Sequence, residues 1–331
     1  MVSRVAVLGA GSWGTTIAAL LTPVVPTVLW ARRTELADDL NAGRGNERYL
    51  PGFELPADLE ATADLGEATS DAALVLVAVP TQGFRAVLEG SLATLGAAVP
   101  VVSLAKGFER GSCMRMSEVA SEVLPGRPVA VLTGPNLAKE VLEGRSSAAV
   151  VAASDSTVSG VLQGLLASDR LRIYTNDDLV GCEIGGAVKN VIALAAGMAE
   201  GLDTGDNARA ALMTRGLAEV MRYGALRGAR AETLTGLSGL GDLTLTCNSL
   251  LSRNMSLGTE LGKGRTMTEV LAERQSVAEG SLTAGAITDH IRALDIEMPI
   301  CSAVDAILNQ QANLDETIKA LMQRPYRAEQ G

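Results

Sequence analysis

The sequence predicts an α/β protein in which an N-terminal doubly wound parallel sheet is followed by an all-helical C-terminal domain. In the first half, short apolar runs alternate with helical stretches, the order that a parallel sheet covered by helices requires. After residue 177 the strand pattern stops and apolar residues recur only at helical spacing. Because 331 residues suffice for two domains, we expect one domain at residues 1–180 and a second at 181–331.

A glycine motif follows the first predicted strand directly. The run RVAVL at residues 4–8 leads into GAGSWG and then into a helix that ends before Pro23. Gly9 permits a tight turn, Gly11 lets the backbone approach a pyrophosphate, and Gly14 allows the helix to pack closely on the strand. Free N–H groups at the helix N-terminus favour phosphate. The motif predicts a Rossmann-type dinucleotide-binding domain; the alternative is a glycine-rich turn without a ligand.

The second predicted strand, residues 27–31, ends in two arginines. Arg32 and Arg33 stand where an NAD-specific site would carry an acidic residue. Two guanidinium groups favour the additional 2′-phosphate of NADP. We therefore expect NADP (NADPH) as the preferred cofactor, with NAD possible. A solvated basic pair at a strand end is the alternative.

Apolar runs predict five further strands, at residues 73–80, 100–104, 129–133, 148–153 and 171–175. Ligands of such sheets bind at the carboxyl ends of the strands. Lys106 and Gly134 both follow a strand, so Lys106 is placed to meet an anion. A surface lysine in a loop is the alternative.

One lysine lies inside an apolar helix, at residues 181–201. Burial lowers the pKa of an amine, and a lysine whose pKa falls to about 7–8 can accept and return a proton near neutral pH. Since no linker separates the two halves, this helix connects them and places Lys189 at their seam, where substrate pockets form. Gly185 and Gly186, one turn earlier, let another backbone or a ligand come close. The alternative is a lysine that extends to solvent.

Two segments of the helical half carry polar residues in unusual settings. Residues 236–243 predict a glycine-rich loop whose one acid, Asp242, either orients a lysine or a substrate hydroxyl or is a turn residue. Ser252 fits a helix N-cap, and Arg253 and Asn254 would lie at the positive end of that helix. These three residues predict a site for a small phosphate, the alternative being a capped surface helix.

Composition excludes several classes of protein. The net charge of −10 argues against a nucleic acid or an anionic membrane as partner. One histidine, His290, which we expect to be structural, excludes a multi-histidine metal site. The widely spaced Cys113, Cys182, Cys247 and Cys301 have no metal-ligand spacing and predict reduced, mostly buried thiols of a cytosolic protein. We expect no metal, no signal peptide and no apolar run of membrane-spanning length.

The motifs closely resemble, in order and spacing, the bacterial, cytosolic NAD(P)-dependent glycerol-3-phosphate dehydrogenases over almost the full length. The resemblance rests on GAGSWGT at Gly9, YLP at Tyr49, VAVP at Val77, AKGFE at Ala105, LTGPNLAKEV at Leu132, GGAVKNVIALAAG at Gly185, NARAALMTRGLAE at Asn207, GLSGLGDLTLTC at Gly236, SRN at Ser252 and VAEG at Val277. It implies an oxidoreductase that interconverts dihydroxyacetone phosphate and sn-glycerol 3-phosphate, supplying glycerophospholipid synthesis.

The resemblance also implies roles for individual residues. Lys189 matches the proton acceptor for the C2 hydroxyl, with Lys106 and Asp242 beside it at the reacting centre. Residues matched to the substrate are Lys106, Gly134, Lys189, Asn190, Asp242, Thr246, Ser252, Arg253 and Asn254. Residues matched to the cofactor are Gly9, Gly11, Ser12, Trp13, Gly14, Arg32, Arg33, Lys106, Ala138, Arg253, Val277 and Glu279. From the residues alone, Glu279 is either a helix-end residue or a cofactor contact.

Some features depart from the family pattern or leave alternatives open. Asn136 stands where serine is usual, Leu137 where phenylalanine is usual, and Met255 with Ser256 where a basic pair is frequent. One alternative function is a two-domain reductase for a hydroxy acid, whose substrate has no phosphate. Another is a redox-sensing module that holds NADPH without turnover. An apolar helical second domain also predicts a homodimer.

Overall fold

The computed structural model describes residues 2–273 and 279–325, and within them the first half of the chain forms one eight-stranded sheet. Its strands are β1 (Val5–Leu8), β2 (Thr27–Trp30), β3 (Glu60–Thr62), β4 (Leu74–Val77), β5 (Val101–Ser103), β6 (Val129–Thr133), β7 (Ser147–Ala153) and β8 (Leu171–Asn176). They lie in the order β3-β2-β1-β4-β5-β6-β7-β8, and every neighbouring pair except β6–β7 is parallel. The predicted α/β fold with a mostly parallel sheet is confirmed.

Helices cover both faces of this sheet. They are α1 (Ser12–Leu21), α2 (Thr34–Asn41), α3 (Leu65–Thr69), α4 (Thr81–Ser91), α5 (Met116–Val123), α6 (Ala138–Leu142) and α7 (Ser156–Leu166). The central strand β1 is fully buried; Val5 and Val7 pack into the apolar cluster that holds α1, and Ala6 and Leu8 into the cluster that holds α4. Because β2 and β4 flank β1, the crossovers reverse direction there. A cleft therefore opens at the carboxyl ends of β1 and β4.

Two features of the sheet differ from the expectation. Strand β3 has three residues, of which only Ala61 is buried, so it leaves no apolar run to recognise. Strands β6 and β7 pair antiparallel, with Ala130 opposite Ala153. The chain between them contains only the short helix α6, and parallel pairing needs a longer crossover.

The second half of the described chain is helical. Its elements are α8 (Leu179–Gly201), α9 (Asp206–Leu226), α10 (Ala231–Leu234), a π-helical turn (Leu237–Gly241), α11 (Asp242–Asn248), α12 (Arg253–Gly262), α13 (Met267–Ala272), α14 (Glu279–Ala293), α15 (Pro299–Asn309) and α16 (Leu314–Met322). Helix α8 follows the last strand directly and forms the core of this half. The helical second half is as expected; a domain division at residues 180 and 181 stays a prediction.

By length and composition, α8 is the one described helix that could cross a membrane, although Glu183 and Lys189 interrupt its apolar run. Helix α8 has 23 residues and a mean hydropathy of 1.5 over its most apolar window, enough to cross a bilayer on those criteria. However, 83% of that window is buried inside the protein. The residues that make α8 apolar thus contact other helices and the sheet.

Helices α8 and α12 pack backbone against backbone through glycines. Gly197 and Gly201 on α8 face Gly258 and Gly262 on α12. A Cβ atom on Gly258 would lie 2.2 Å from the carbonyl oxygen of Leu194, far inside van der Waals contact. The close approach fixes the start of α12, and with it Ser252 and Arg253, relative to α8.

The segment predicted as a glycine-rich loop is not a loop. Residues 237–241 form the π-helical turn, which runs straight into α11 with Asp242 as its first residue. A Cβ atom on Gly239 would lie 1.9 Å from the carbonyl oxygen of Leu234, and one on Gly185 of α8 would lie 2.7 Å from that of Ser238. The glycines therefore allow the turn to pack closely against its neighbours. From the sequence, the same glycines indicated a loop.

We expect Gly258→Ala to lower the free energy of unfolding by about 1–3 kcal/mol, because the added methyl group must push α8 and α12 apart. Gly160→Ala is the matched control. Gly160 lies in the middle of α7 with nothing within 4 Å of an added Cβ atom, so that substitution should be neutral or stabilise by about 0.5–1 kcal/mol. Urea unfolding of both variants gives the comparison; equal effects would contradict the glycine-mediated packing.

Candidate active site

A single buried carboxylate binds two lysines at the carboxyl edge of the sheet. Asp242 is 1% exposed; its Oδ2 atom lies 2.8 Å from Lys106 Nζ, and its Oδ1 atom lies 2.6 Å from Lys189 Nζ. Lys106 comes from the loop after β5, Lys189 from the middle of α8, and Asp242 from the start of α11. The fold thus joins the three residues predicted for the reacting centre.

The ammonium group of Lys106 has no hydrogen left for a further acceptor. It donates to Asp242 Oδ2, to the Gly134 carbonyl oxygen at 3.0 Å and to Asn136 Oδ1 at 2.8 Å. An ammonium carries three N–H donors, so these contacts use all of them. Lys106 is therefore held rigidly, as a fixed positive charge.

The ammonium group of Lys189 keeps one hydrogen. It donates to Asp242 Oδ1 and to Thr246 Oγ1, both at 2.6 Å, and has no third acceptor among the described residues. The Thr246 hydroxyl donates in turn to the carbonyl oxygen of Asp242 at 2.6 Å, which leaves its lone pairs for Lys189. Lys189 is therefore oriented by two partners and can bind one further oxygen.

Burial lowers the pKa of Lys189 to about 8, and the neighbouring Lys106 charge acts in the same direction. The Asp242 carboxylate opposes the shift but does not cancel it. The amine can therefore change protonation state close to neutral pH, as the sequence suggested for a buried lysine. The reading of Lys189 as an exposed, extended side chain is wrong, because the residue is 6% exposed.

Two asparagines tie this centre to α12 and α14. Asn190 donates from Nδ2 to the Lys106 carbonyl oxygen at 3.2 Å, and Asn254 donates from Nδ2 to Asn190 Oδ1 at 3.0 Å. The N–H of Gly280 donates to Asn254 Oδ1, also at 3.0 Å. A backbone donor at one end and a backbone acceptor at the other fix the orientation of both amides. Asn190 and Asn254, both matched to the substrate, thus adjoin the lysines.

A positive helix end lies next to this chain of amides. Ser252 is the N-cap of α12, its hydroxyl oxygen accepting the N–H of Met255 at 3.3 Å, and Arg253 is the first helical residue. The N-cap predicted at Ser252 is confirmed. The half-buried Glu279 at the start of α14 accepts a hydrogen bond from the Thr81 N–H; desolvation raises its pKa, and the Arg253 charge opposes that shift. Val277 lies outside the described residues.

The glycine motif lies at the N-terminus of α1, as predicted. Gly9 has φ +119°, which other residues rarely adopt, and a Cβ atom on Gly14 would lie 1.9 Å from the Gly9 carbonyl oxygen. A Cβ atom on Gly11 would meet nothing within 4 Å. Gly11 is therefore the open side of the loop, the side that the motif assigns to a pyrophosphate, and α1 has no side-chain cap there. These features fit a dinucleotide.

The other residues matched to the cofactor surround this loop. Arg32 is exposed and Arg33 half-buried at the end of β2, and no described carboxylate forms an ion pair with either. Trp13 lies in the first turn of α1, and its indole Nε1 is buried without a partner among the described groups. The hydroxyl of Thr16 donates to the carbonyl oxygen of Ala138, the first residue of α6, at 3.4 Å.

One member of the site was noticed in the sequence but given no role there. Asn136, which replaces the usual serine, accepts a hydrogen bond from Lys106, and its Nδ2 group is buried with no partner among the described residues. The amide therefore adds an open donor beside the two lysines. In the sequence, only its departure from the family pattern, just after β6, pointed to Asn136.

The cysteines and the histidine form no hydrogen bond with Lys106, Lys189 or Asp242 within the described residues. All four cysteines are buried free thiols. His290 Nδ1 forms a hydrogen bond with the Tyr223 hydroxyl, 2.9 Å away, and Arg227 lies beside both residues. Within the described part of the chain, no group of three or more His, Cys, Asp and Glu side chains is arranged to hold a metal ion.

Comparisons with known proteins match this chain to one family over almost its whole length. The family models described as NAD-dependent glycerol-3-phosphate dehydrogenase N-terminus and C-terminus match residues 4–159 and 178–319. The chain is 49% identical to glycerol-3-phosphate dehydrogenase (NAD(P)+) of Rhodospirillum rubrum over 100% of its own length and 95% of that protein. It is 47% identical to the enzyme of that name from Thermobifida fusca, over 99% and 98% of the two chains.

A solved structure of the same family has the same fold. The crystal structure of glycerol-3-phosphate dehydrogenase from Coxiella burnetii is 36% identical and superposes with a TM-score of 0.94, covering 97% of this chain and 99% of that one. With two family models spanning most of its length and relatives close to half identical throughout, the chain belongs to the NAD-dependent glycerol-3-phosphate dehydrogenase family.

Proposed function

We propose that the chain is an NAD(P)-dependent oxidoreductase that reversibly reduces dihydroxyacetone phosphate to sn-glycerol 3-phosphate, supplying glycerophospholipid synthesis. The observation that carries the proposal is Asp242, whose carboxylate fixes Lys106 and Lys189 and leaves one hydrogen of Lys189 for a substrate oxygen. A proton donor with a pKa of about 8 suits a carbonyl reduction that needs one proton.

Lys189 acts as the acid in reduction and as the base in oxidation. In reduction its ammonium donates a proton to the oxygen on C2 while that oxygen gains negative charge, and in oxidation the neutral amine removes the hydroxyl proton. When bound, the nicotinamide supplies the hydride that C2 gains, or accepts the one that C2 loses. The fixed charge of Lys106 stabilises the developing charge on oxygen without reorganising, because its three contacts already hold it.

The phosphate end of the substrate would bind Ser252, Arg253 and the free N–H groups at the start of α12. The positive helix end and a guanidinium both favour a phosphate dianion. Asn190 and Asn254 connect this end to the lysines, so binding of the remote phosphate would hold C2 near Lys189. A hydroxy-acid substrate lacks this group, which weighs against the alternative reductase.

The cofactor would lie along the glycine motif at the carboxyl ends of β1 and β4. The open side of Gly11 and the uncapped start of α1 suit its pyrophosphate. Arg32 and Arg33, without a described carboxylate partner, suit a 2′-phosphate and favour NADP(H) over NAD(H). Ser12, Trp13, Ala138 and Glu279 are the further residues that we propose contact the cofactor; Val277 is carried over from the resemblance alone.

We also propose a cytoplasmic homodimer. Exposed apolar side chains of the helical half support self-association, among them Leu250 and Leu226, with 66% and 63% of their surface accessible. A net charge of −10 weighs against a nucleic acid as partner.

The proposal predicts NADPH oxidation when dihydroxyacetone phosphate is added to the purified chain, with slower oxidation of NADH. The readout is the fall in absorbance at the nicotinamide band, repeated with added glycerol 3-phosphate as a competing product. Equal rates with both cofactors would keep the reaction and contradict the role of Arg32 and Arg33. Binding of NADPH without turnover would favour the sensor alternative, and turnover of hydroxy acids alone would favour the other reductase.

We expect opposite pH dependences for the two directions, because reduction needs protonated Lys189 and oxidation needs the neutral amine. Between pH 7 and 10, kcat/KM for reduction should fall as pH rises through about 8, and kcat/KM for oxidation should rise. Lys189→Ala should lower kcat/KM in both directions by roughly 10²–10⁴-fold and remove the change of kcat/KM with pH around 8. Lys263→Ala, at an exposed lysine paired with Glu260, is the control and should retain full activity. Substantial activity of Lys189→Ala would refute the assignment.

A further inference from the structure

The motif YLP at Tyr49 has no role in the function proposed above, yet its segment lies across the glycine motif. The hydroxyl of Ser12, at the start of α1, donates to the Tyr49 carbonyl oxygen at 3.1 Å. Leu50 is fully buried, so the segment is anchored in the core. The turn that follows α2 is thus in direct contact with the first residues of the predicted dinucleotide site.

Asn46 in this turn makes a fully buried contact with the glycine motif. Its side chain is 0% exposed, and its Nδ2 group donates to the Ala10 carbonyl oxygen at 3.1 Å and to Thr15 Oγ1 at 2.8 Å. A carbonyl oxygen can only accept, so the amide nitrogen must be the atom that faces Ala10. Ala10 stands between Gly9 and Gly11, the first two glycines of the motif.

The contact sets the direction of one N–H group of the motif. The carbonyl of Ala10 and the N–H of Gly11 belong to the same trans peptide and point in opposite directions. When Asn46 holds the carbonyl, the Gly11 N–H is turned to the other side of the loop. No described group accepts that N–H, and the space beside Gly11 is open. The Ser12 hydroxyl, engaged with Tyr49, does not cap α1 either.

Packing alone does not explain an asparagine here. The Oδ1 atom of Asn46 is buried with no partner among the described residues. An unpaired buried acceptor costs free energy that an apolar side chain of similar size would avoid. The side chain is therefore better explained by what its Nδ2 group does to the glycine motif.

We infer that Asn46 is a positioning residue for cofactor binding, which orients the Ala10–Gly11 peptide so that the Gly11 N–H faces the cofactor pyrophosphate. It touches neither substrate nor cofactor in this role. The inference rests on the proposed function, because it takes a phosphate-bearing dinucleotide as the ligand of the glycine motif.

Calorimetric titration of the purified protein with NADP+ tests the inference without turnover. We expect Asn46→Ala to raise the Kd for NADP+ at least tenfold in protein that circular dichroism shows to be folded. Asn41→Ala is the matched control: Asn41 also bonds backbone in this domain, to both the N–H and the carbonyl of Ala61, but does not contact the glycine motif. Its Kd should stay within twofold of wild type. At saturating NADPH, Asn46→Ala should keep kcat and the KM for dihydroxyacetone phosphate.

Asn46→Asp keeps the volume and removes the donor, so it serves if Asn46→Ala does not fold; it too should bind NADP+ at least tenfold more weakly. Wild-type Kd in a folded Asn46 variant would overturn the inference. An equal loss of affinity in Asn41→Ala would also overturn it, since general destabilisation would then be the cause. Wild-type protein that binds neither NADP+ nor NAD+ would instead contradict the proposed function.

Discussion

The active site depends on one buried carboxylate that binds two ammonium groups. Holding two positive charges here without Asp242 would be strongly unfavourable, because each would lose hydration with no opposite charge to compensate. The carboxylate gives one oxygen atom to each lysine, and the remaining acceptors differ between them. Lys106 has all its hydrogens bound and is held in place, whereas Lys189 keeps one hydrogen free and has a lowered pKa. This asymmetry separates electrostatic stabilisation from proton transfer.

Close packing makes the shared carboxylate possible. Asp242 reaches Lys189 because the π-helical turn packs against α8 at Gly185, where a side chain would collide with the Ser238 carbonyl. Gly186 similarly leaves room for Thr133 and for the stem of Lys106, since a Cβ atom there would lie 2.9 Å from Thr133 Oγ1. The small residues before Lys189 thus admit both the backbone and the second lysine that complete the site.

Much of this arrangement could be predicted from the sequence, because local patterns determine it. Continuous apolar runs identify β1 and β4, the glycine motif identifies the start of α1, and Ser252 identifies the start of α12. Strand β3 was missed because one buried residue makes no pattern, and the antiparallel β7 because pairing direction depends on the connection in space. The π-helical turn was taken for a loop because glycine is used for flexibility and for close approach alike.

Contacts between distant residues were beyond the sequence. The partners that saturate Lys106, the carbonyl of Gly134 and the amide of Asn136, follow another strand and meet the lysine only in the folded sheet. The same holds for the Gly280 N–H that orients Asn254. Motif resemblance names such residues without saying which of them touch each other.

The most direct test of the shared carboxylate is the pKa of Lys189 in the wild-type protein and in Asp242→Asn. Heteronuclear NMR of the lysine Cε–Nζ groups reports it without turnover, and the missing signal in Lys189→Ala assigns the resonance. Because the Asp242 charge raises the pKa of Lys189 against burial and Lys106, we expect a titration midpoint near 8 in wild type and a lower one in Asp242→Asn. An unchanged or higher midpoint in that variant would show that the Asp242 carboxylate does not stabilise the Lys189 ammonium.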